Sequence, residues 1–336
     1  MAVRQMAVVT AAVLAVAALV GCGANTTNEP HEPAAEGPTA SASAPDDAAG
    51  FPLTVKHAMG ETTIPAKPKR VVALDASMVD DALLLGTPVV GFTSYRAIGD
   101  ELPEYLGDAR DTLAKDAQSV GTLEEPSLEK IIALQPDLIL SAKVRHEKIY
   151  DKLSAIAPTV FSETTGPSWK KNIELIGTAL GEETKAKDEL ARYEKRAKAI
   201  GDAINAKAGN PTISVVRFVD GPTRLYQKAS FSGIVLQDAG LARPKAQDVE
   251  DFALEISAEE TLKAEADDIF VTTYADEAGV SAKTKGQIQG GALWKKLQGR
   301  VHEVQDTLWM TPCSIQGAEY ILDDLAKAFE VDPQRG

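Results

Sequence analysis

The sequence predicts an α/β protein built from two Rossmann-like lobes that are joined by a single long α-helix. Three observations lead to this prediction. Short apolar segments alternate with helix-period segments both before and after residue 182. The stretch 182–208 is charged, rich in alanine and free of proline, and its apolar residues recur at helical spacing. The chain beyond residue 50 has about 280 residues, which is more than one compact core usually holds.

The first 50 residues are expected to lie outside both lobes. Residues 1–21 carry one cation and a short apolar run, and Leu19-Val20-Gly21-Cys22 closes them in the pattern of a lipoprotein signal peptide. The apolar run is shorter than the roughly 20 residues that a membrane-spanning helix needs. Cys22 is therefore the expected lipidation site; an ordinary secreted or membrane-spanning segment is the alternative. Residues 22–50 have hardly any large apolar side chains and are expected to form a flexible linker.

The first lobe is expected at 51–181, the connecting helix at 182–208 and the second lobe at 209–332. The first lobe should contain a hairpin around 59–61, strands at 70–74, 89–92, 137–141 and 159–161, and helices at 78–85, 128–134 and 147–155, with Ser127 capping the second of these. The second lobe should contain strands at 212–219, 268–273 and 300–305, and helices at 231–239, 258–263 and 315–329. This alternation predicts parallel strands; one doubly wound domain with a helical insert is the alternative.

Composition argues against several functional classes. The formal net charge of -14 offers no basic face for nucleic acid or anionic lipid. The only cysteines are Cys22 and Cys313, so lipidation of Cys22 leaves no structural disulfide. The chain has no GxSxG, phosphate loop, HExxH or CxxC motif, and its four histidines have no metal-ligand spacing. We therefore expect a binding protein without a cofactor or metal site of its own; a Cys313 nucleophile beside His302 is the enzymatic alternative.

Several sequence fragments, in a fixed order, carry a family resemblance. They are 68–74 (PKRVVAL), 120–121 (VG), 126–131 (PSLEKI), 134–139 (LQPDLI), 256–262 (ISAEETL) and 266–271 (ADDIFV). Together they resemble the substrate-binding proteins of iron-siderophore and vitamin B12 importers. The fragments 144–150 (VRHEKIY), 156–160 (IAPTV) and 214–218 (SVVRF) are most similar to the ferric-hydroxamate branch.

This resemblance implies the class III periplasmic-binding-protein fold and a specific role. A ferric siderophore, of hydroxamate type, would be captured between the lobes and passed to the permease and ATPase of an ABC importer by a monomeric, lipid-anchored, extracytoplasmic protein. The siderophore itself holds the iron, so no protein ligands to a metal are required. In the family one glutamate on each lobe docks to the permease, and the matching positions are Glu129 and Glu259; their neighbours Glu124, Glu125 and Glu260 are alternatives.

Two arginines are the candidate ligand-binding cations. Arg217 interrupts an apolar strand, and Arg145 follows the strand at 137–141, where ligands of open α/β sheets gather. A guanidinium can donate to two chelating oxygens at once. The alternatives are a structural salt bridge for Arg217 and a solvated surface position for Arg145.

Aromatic side chains are the candidate flat walls of the cleft, although aromatic residues more often belong to a core. The candidates are Trp309, Trp169 and Tyr226, with Tyr95 and Tyr274 at equivalent strand ends. Heme and cobalamin are the alternative ligands, and heme would need an axial residue such as His146, Tyr274 or Tyr226. A lipid-anchored sensor or adhesion protein without transport is the alternative from another functional class.

Overall fold

The structure, a computed structural model, describes residues 50–335. The predicted signal peptide, Cys22 and all of the predicted linker except Gly50 lie outside the described residues. Within the described part of the chain, two five-stranded sheets and an isolated hairpin form two α/β lobes.

The first lobe opens with the hairpin of β1 (Leu53–His57) and β2 (Gly60–Ile64), as predicted. Its sheet consists of β3 (Val71–Ala73), β4 (Val89–Phe92), β5 (Gln118–Ser119), β6 (Leu138–Ala142) and β7 (Thr159–Ser162). Its helices are α1 (Ala76–Leu84), α2 (Gly107–Leu113), α3 (Leu128–Ala133), α4 (Lys143–His146), α5 (Tyr150–Ser154) and α6 (Trp169–Leu180), with 3-10 turns at Glu104–Leu106, Glu147–Ile149 and Gly166–Ser168.

All five strands of this sheet are parallel, in the order β5-β4-β3-β6-β7. After β3 the chain builds outward through β4 and β5, and it then returns to place β6 on the other side of β3. The order therefore reverses between β3 and β6. Ligands of open α/β sheets bind in the crevice outside the carboxyl ends of the strands at such a reversal.

The connecting helix α7 spans Glu183–Ala208. The second lobe follows with β8 (Ile213–Phe218), β9 (Thr223–Tyr226), β10 (Ala253–Ile256), β11 (Asp268–Thr273) and β12 (Arg300–Glu303). Its helices are α8 (Phe231–Asp238), α9 (Val280–Gly290), α10 (Asp306–Trp309) and α11 (Ile315–Ala328), with 3-10 helices at Ala258–Ala264 and Trp294–Lys296. The sheet order is β10-β9-β8-β11-β12, in which β8, β11 and β12 are parallel and β9 is antiparallel to both of its neighbours.

Helix α7 packs against α6 of the first lobe and against α8 and α11 of the second. Its buried stripe includes Tyr193, Ala197, Ile200 and Ile204, each fully shielded from solvent. The largest hydrophobic cluster runs from the first lobe through this stripe into the second lobe. One side of the helix is therefore part of a core that both lobes share.

Gly201 has a packing reason to stand inside this helix. A Cβ atom at Gly201 would lie 1.6 Å from the carbonyl oxygen of Ala239, at the end of α8. Glycine is about 1 kcal/mol less favourable than alanine inside a helix. Only glycine, which has no Cβ atom, lets α7 approach the second lobe this closely. The packing gained by this close approach offsets the cost of glycine in the helix.

The predicted fold is confirmed, with local differences. The helix predicted at 147–155 is divided into a 3-10 turn and α5, and the helix predicted at 258–263 is a 3-10 helix. The strands β5, β9 and β10 were not predicted, because each is short and none has a continuous apolar pattern. Within residues 50–335, no helix combines the length and apolarity needed to cross a bilayer.

Candidate ligand-binding cleft

The strand reversal of the first sheet positions an ion pair between Asp75 and Arg145. Asp75 follows β3 and caps α1, where its Oδ1 atom accepts hydrogen bonds from the Ser77 amide at 3.1 Å and the Ser77 hydroxyl at 2.7 Å. Arg145 lies in α4, directly after β6, and its Nε atom donates to Asp75 Oδ2 at 3.0 Å. Asp75 is buried, whereas the Arg145 side chain is 29% exposed. The guanidinium is thus fixed along one edge and remains accessible.

The second sheet positions Arg217 in an equivalent way. Its Nε and Nη2 atoms each donate to an Asp306 carboxylate oxygen at 2.7 Å, and Nη1 donates to the Tyr226 hydroxyl at 3.1 Å. The guanidinium also lies over the ring of Tyr274, 5.6 Å from its centroid. Arg217 is near the end of β8, Tyr274 follows β11 and Asp306 follows β12, so the carboxyl ends of three parallel strands meet here.

Asp306 and Tyr226 keep Arg217 charged. Burial alone would lower the pKa of Arg217, but the charges and hydrogen bonds of Tyr226 and Asp306 outweigh it, and the pKa lies above its ordinary value. A guanidinium has five N–H groups. The bonds to Asp306 and Tyr226 use three of them, and the described residues provide no hydrogen-bond partner for the other two. These two can donate to ligand oxygens.

A cavity of about 270 Å³ lies where the two lobes face each other. The first lobe contributes Arg96 and Glu124, and the second contributes Arg217, Val219, Asp220, Arg224 and Tyr274. Burial raises the pKa of Glu124, whereas Arg96 and the charge of Arg145 lower it. The two arginines outweigh burial, so the pKa of Glu124 lies below its ordinary value. The charge of Arg145 therefore acts on the same wall of the cavity that Arg96 lines.

Cys313 is a free, half-buried cysteine whose thiol is influenced by the charges of both guanidiniums. Burial raises the pKa of its thiol to about 12, against the charges of Arg145 and Arg217, which lower it. A thiol with this pKa is protonated and a poor nucleophile at neutral pH. His302, the alternative partner, instead contacts Asp268 at 2.6 Å and stacks on Phe270. The geometry gives no support to a cysteine–histidine nucleophile.

Each arginine near the cavity has a carboxylate partner in its own lobe. The pairs are Arg145 with Asp75, Arg96 with Glu124, Arg217 with Asp306 and Arg224 with Glu255. The cleft wall therefore offers directed N–H donors without a large net charge, which suits the oxygens of a chelate.

The structure corrects three of the aromatic predictions. Trp309 is 0% exposed, stacks on Phe270 at a centroid distance of 5.1 Å and donates its indole N–H to Asp324. Trp169 is 1% exposed and Tyr95 is 2% exposed. All three side chains belong to the core and offer no face to a ligand. Tyr226 is also buried, but its hydroxyl holds Arg217, and the partly exposed Tyr274 does line the cavity.

His146 is unsuited to bind heme iron. Its Nδ1 atom is 2.7 Å from the Ser141 hydroxyl and its Nε2 atom is 2.7 Å from the Leu123 carbonyl, so both ring nitrogens are occupied. Burial also lowers its pKa and keeps the ring neutral. Among residues 50–335, no three histidine, cysteine or acidic side chains are grouped so that they could hold a metal ion.

The two predicted docking glutamates are exposed in the first turns of their helices. Glu129 accepts a hydrogen bond from the Ser127 hydroxyl at 3.1 Å. Glu260 accepts a hydrogen bond from the Ser257 amide at 3.1 Å and forms an ion pair with Lys263. No described residue pairs with the side chain of Glu259. Glu124 pairs with Arg96. The structure therefore leaves Glu259 more available for a partner than Glu260, and Glu129 more available than Glu124.

Sequence reasoning did not identify the carboxylates that hold the cleft arginines. Asp75 directly follows a predicted strand and precedes a predicted helix, the position of an N-cap. Asp306 similarly follows the strand predicted at 300–305. Both carboxylates could have been predicted, because an acidic residue follows the end of each of these two predicted strands, where the cationic cleft was also expected.

Two α/β lobes, one connecting helix and a polar cleft at the carboxyl ends of both sheets define a bilobal solute-binding protein. The family model described as "Periplasmic binding protein" matches residues 71–298, which is more than half of the chain. The chain belongs to this family, and the resemblance that the sequence fragments indicated is confirmed.

Similar proteins and solved structures agree with this assignment. The "Probable siderophore-binding lipoprotein YfiY" of Bacillus subtilis is 39% identical, over 82% of this chain and 87% of its own length. The "Fe(3+)-citrate-binding protein YfmC" of Bacillus subtilis is 29% identical, over 80% of this chain and 83% of its own length. The crystal structure of Staphylococcus aureus SirA complexed with staphyloferrin B is similar with a TM-score of 0.75 and 33% identity, covering 84% of this chain and all of SirA.

Proposed function

We propose that this chain captures a ferric siderophore in the cleft between its lobes and delivers it to the permease of an ABC importer. The protein acts as a monomer that is anchored by lipid on Cys22 at the outer face of the cell membrane. The siderophore encloses the iron, so the protein binds the surface of a finished chelate and needs no metal ligands. The lipoprotein assignment of YfiY supports the anchor and the location.

The observation that supports this proposal best is the pair of guanidiniums at the carboxyl ends of the two sheets. Arg145 comes from the first lobe and Arg217 from the second, and the charge of each lowers the pKa of the same thiol, that of Cys313. Each is held by a carboxylate on one side and keeps N–H donors on another. Chelating oxygens carry partial negative charge, and charge-assisted hydrogen bonds to them are among the stronger ones.

Hydroxamate chelates are the first ligand class that we propose, from the similarity of 144–150 and 214–218 to that branch. Ferric hydroxycarboxylate chelates are the second candidate. Guanidinium groups match carboxylates in a two-bond geometry, and one relative is named as a ferric-citrate-binding protein. Because the cleft arginines are already paired within each lobe, neutral and anionic chelates are both compatible with its charge.

Titration of the purified protein with a panel of ligands tests the proposal. The panel holds a ferric hydroxamate, a ferric hydroxycarboxylate, a ferric catecholate, heme and cobalamin, and tryptophan fluorescence and ligand absorbance report binding. We expect saturable binding of at least one ferric siderophore. A spectral response to heme or cobalamin alone would contradict the proposal.

Docking to the permease is proposed for Glu129 and Glu259. Exposed carboxylates on two lobes would pair with cations of the permease and steer association. Reversing both charges, by Glu129→Arg and Glu259→Arg, should abolish siderophore uptake by cells while the purified protein keeps its affinity for the ligand. Asp116→Arg is a control for charge reversal at a carboxylate of the first lobe that is 89% exposed, and loss of ligand affinity in the double variant would show that the docking surface lies elsewhere.

A further inference from the structure

A cavity of about 650 Å³ lies at the junction of the two lobes and the connecting helix. The first lobe contributes Leu84 and Tyr105 to its lining, α7 contributes Ala199, and α11 contributes Ile315 and Tyr320. It shares no lining residue with the cavity of the ligand cleft. Small-molecule sites usually have volumes of about 300–1,000 Å³. This junction cavity is therefore large enough for a second ligand.

Charges of both signs line the junction cavity, with more cations than carboxylates. The cations are Arg192, Lys195, Arg196 and Arg335, and the carboxylates are Glu319 and Asp323. All three arginines are paired: Arg192 with Glu319 and with Glu189 outside the lining, Arg196 with Glu319 and Asp323, and Arg335 with Asp323. Arg196 is only 7% exposed, so its charge is fixed in the wall. Three carboxylates thus balance the three guanidiniums.

Lys195 is the cation that remains. It is exposed, and no described residue forms a hydrogen bond or an ion pair with its ammonium group. Arg192 uses three of its five N–H groups for its carboxylate partners, and Arg335 uses two. One uncompensated positive charge beside free guanidinium N–H groups favours a ligand with a single carboxylate, whose two oxygens can accept several of these hydrogen bonds.

Two tyrosine rings form an aromatic wall of the junction cavity, one from each lobe. The rings of Tyr105 and Tyr320 meet edge to face, with their centroids 6.0 Å apart. The Tyr105 hydroxyl donates to Asp80 at 3.0 Å, which fixes the position of that ring. Leu84 and Ile315 add aliphatic groups to the lining. Aromatic rings attract one another in offset and edge-to-face arrangements, so this wall suits a ligand with a flat aromatic body.

We infer that the junction cavity is a second binding site, which takes a small aromatic carboxylate. Lys195 is the cation that holds the carboxylate, and Tyr105 and Tyr320 hold the ring. The inference goes beyond the proposed function, because this ligand contains no iron and binds outside the cleft. An occupant contacts both lobes and the connecting helix at once, since all three line the cavity.

Fluorine NMR titrations of the full chain test this inference with three probes. Para-fluorobenzoate has both the ring and the charge, para-fluorobenzyl alcohol has the ring alone, and trifluoroacetate has the charge alone. We expect saturable binding of para-fluorobenzoate that is at least about fivefold tighter than binding of either other probe, because only para-fluorobenzoate satisfies both the ammonium group and the aromatic wall.

Lys195→Gln should weaken binding of para-fluorobenzoate about fivefold, the effect of losing one ion pair at an exposed lysine, and should leave para-fluorobenzyl alcohol unaffected. Lys187→Gln is the matched control, because Lys187 is an exposed lysine of the same helix that does not line the cavity. It should bind all three probes as wild type does. Ala199→Phe should fill the cavity from α7 and remove binding of both probes that carry a ring.

Melting temperatures of all variants should equal that of wild type, and Ala199→Leu replaces Ala199→Phe if phenylalanine lowers it. Three results overturn the inference: no saturation of wild type by para-fluorobenzoate up to about 10 mM, equal affinities of wild type and Lys195→Gln, or competitive displacement of the probe by a ferric siderophore, which would place it in the cleft. Failure of the chain to bind any ferric siderophore overturns the proposed function instead and leaves this second site standing.

Discussion

Replacing Asp80 with asparagine should change how the stability of this protein depends on pH. Asp80 lies in α1 of the first lobe and is fully buried. Its carboxylate accepts hydrogen bonds from Tyr95 and Tyr105 of the same lobe, and from the Ser314 hydroxyl of the second lobe at 2.7 Å. The Gln316 side chain also donates to the Asp80 carbonyl, at 2.8 Å. Asp80 thus links the two lobes through hydrogen bonds.

Burial raises the pKa of Asp80 from 3.8 to about 7, although the hydrogen bonds of Ser314, Tyr105 and Tyr95 lower it. Between these two pH values the folded protein holds a proton that the unfolded chain has released. Its free energy of unfolding therefore falls as pH rises through this window. A difference of about three pKa units corresponds to about 4 kcal/mol.

Chemical denaturation of wild type and Asp80→Asn at pH values from 4 to 8 measures this effect. The free energy of unfolding of the variant, minus that of wild type, should increase by about 4 kcal/mol across the range, because asparagine has no proton to release. Asp116→Asn is the control: this carboxylate is 89% exposed, and its profile should run parallel to that of wild type. A difference between Asp80→Asn and wild type that stays constant with pH would refute the reasoning.

Two further predictions concern the cleft and the connecting helix. Arg217→Ala should weaken ferric-siderophore binding by about 1.5–3 kcal/mol, or about tenfold to 150-fold in dissociation constant. The same substitution should also lower the free energy of unfolding, because Asp306 loses its partner. Adding Asp306→Asn should restore the stability but not the affinity. An affinity for the siderophore that is unaffected by Arg217→Ala would exclude this residue from the site. Gly201→Ala should destabilise the protein by about 1–3 kcal/mol, since its Cβ would collide with the Ala239 carbonyl oxygen. Gly286→Ala, in a helix with open space around it, should instead stabilise by about 0.5–1 kcal/mol, and equal effects in a denaturant titration would contradict the packing argument.

The fold could be predicted from the sequence because its main signals are local. Apolar strands such as β4 and β11 coincide with the predicted ranges, and α7 begins and ends within one residue of the prediction. The short strands β9 and β10 could not be found in this way. They are stabilised by pairing with β8 and with each other, which periodicity within a segment does not report.

Side-chain accessibility was harder to predict than backbone structure. Arg217 stood out because a charge in an apolar strand needs a partner or a cleft. Trp309 looked equally suitable after a strand, but its burial depends on Phe270 and Asp324, which are distant in sequence. The acidic pair Asp80 and Asp81 inside an apolar helix was a comparable signal that the sequence interpretation did not use.

The pairing of each cleft arginine with a carboxylate of its own lobe has a consequence for turnover. When a chelate departs into the permease, Arg145 is still paired with Asp75 and Arg217 with Asp306, so neither has to take up a counter-ion from the surroundings. Loading and unloading can therefore repeat with little electrostatic rearrangement. A carrier built in this way keeps the same ion pairs before loading and after release, so it can bind its next ligand without rebuilding them.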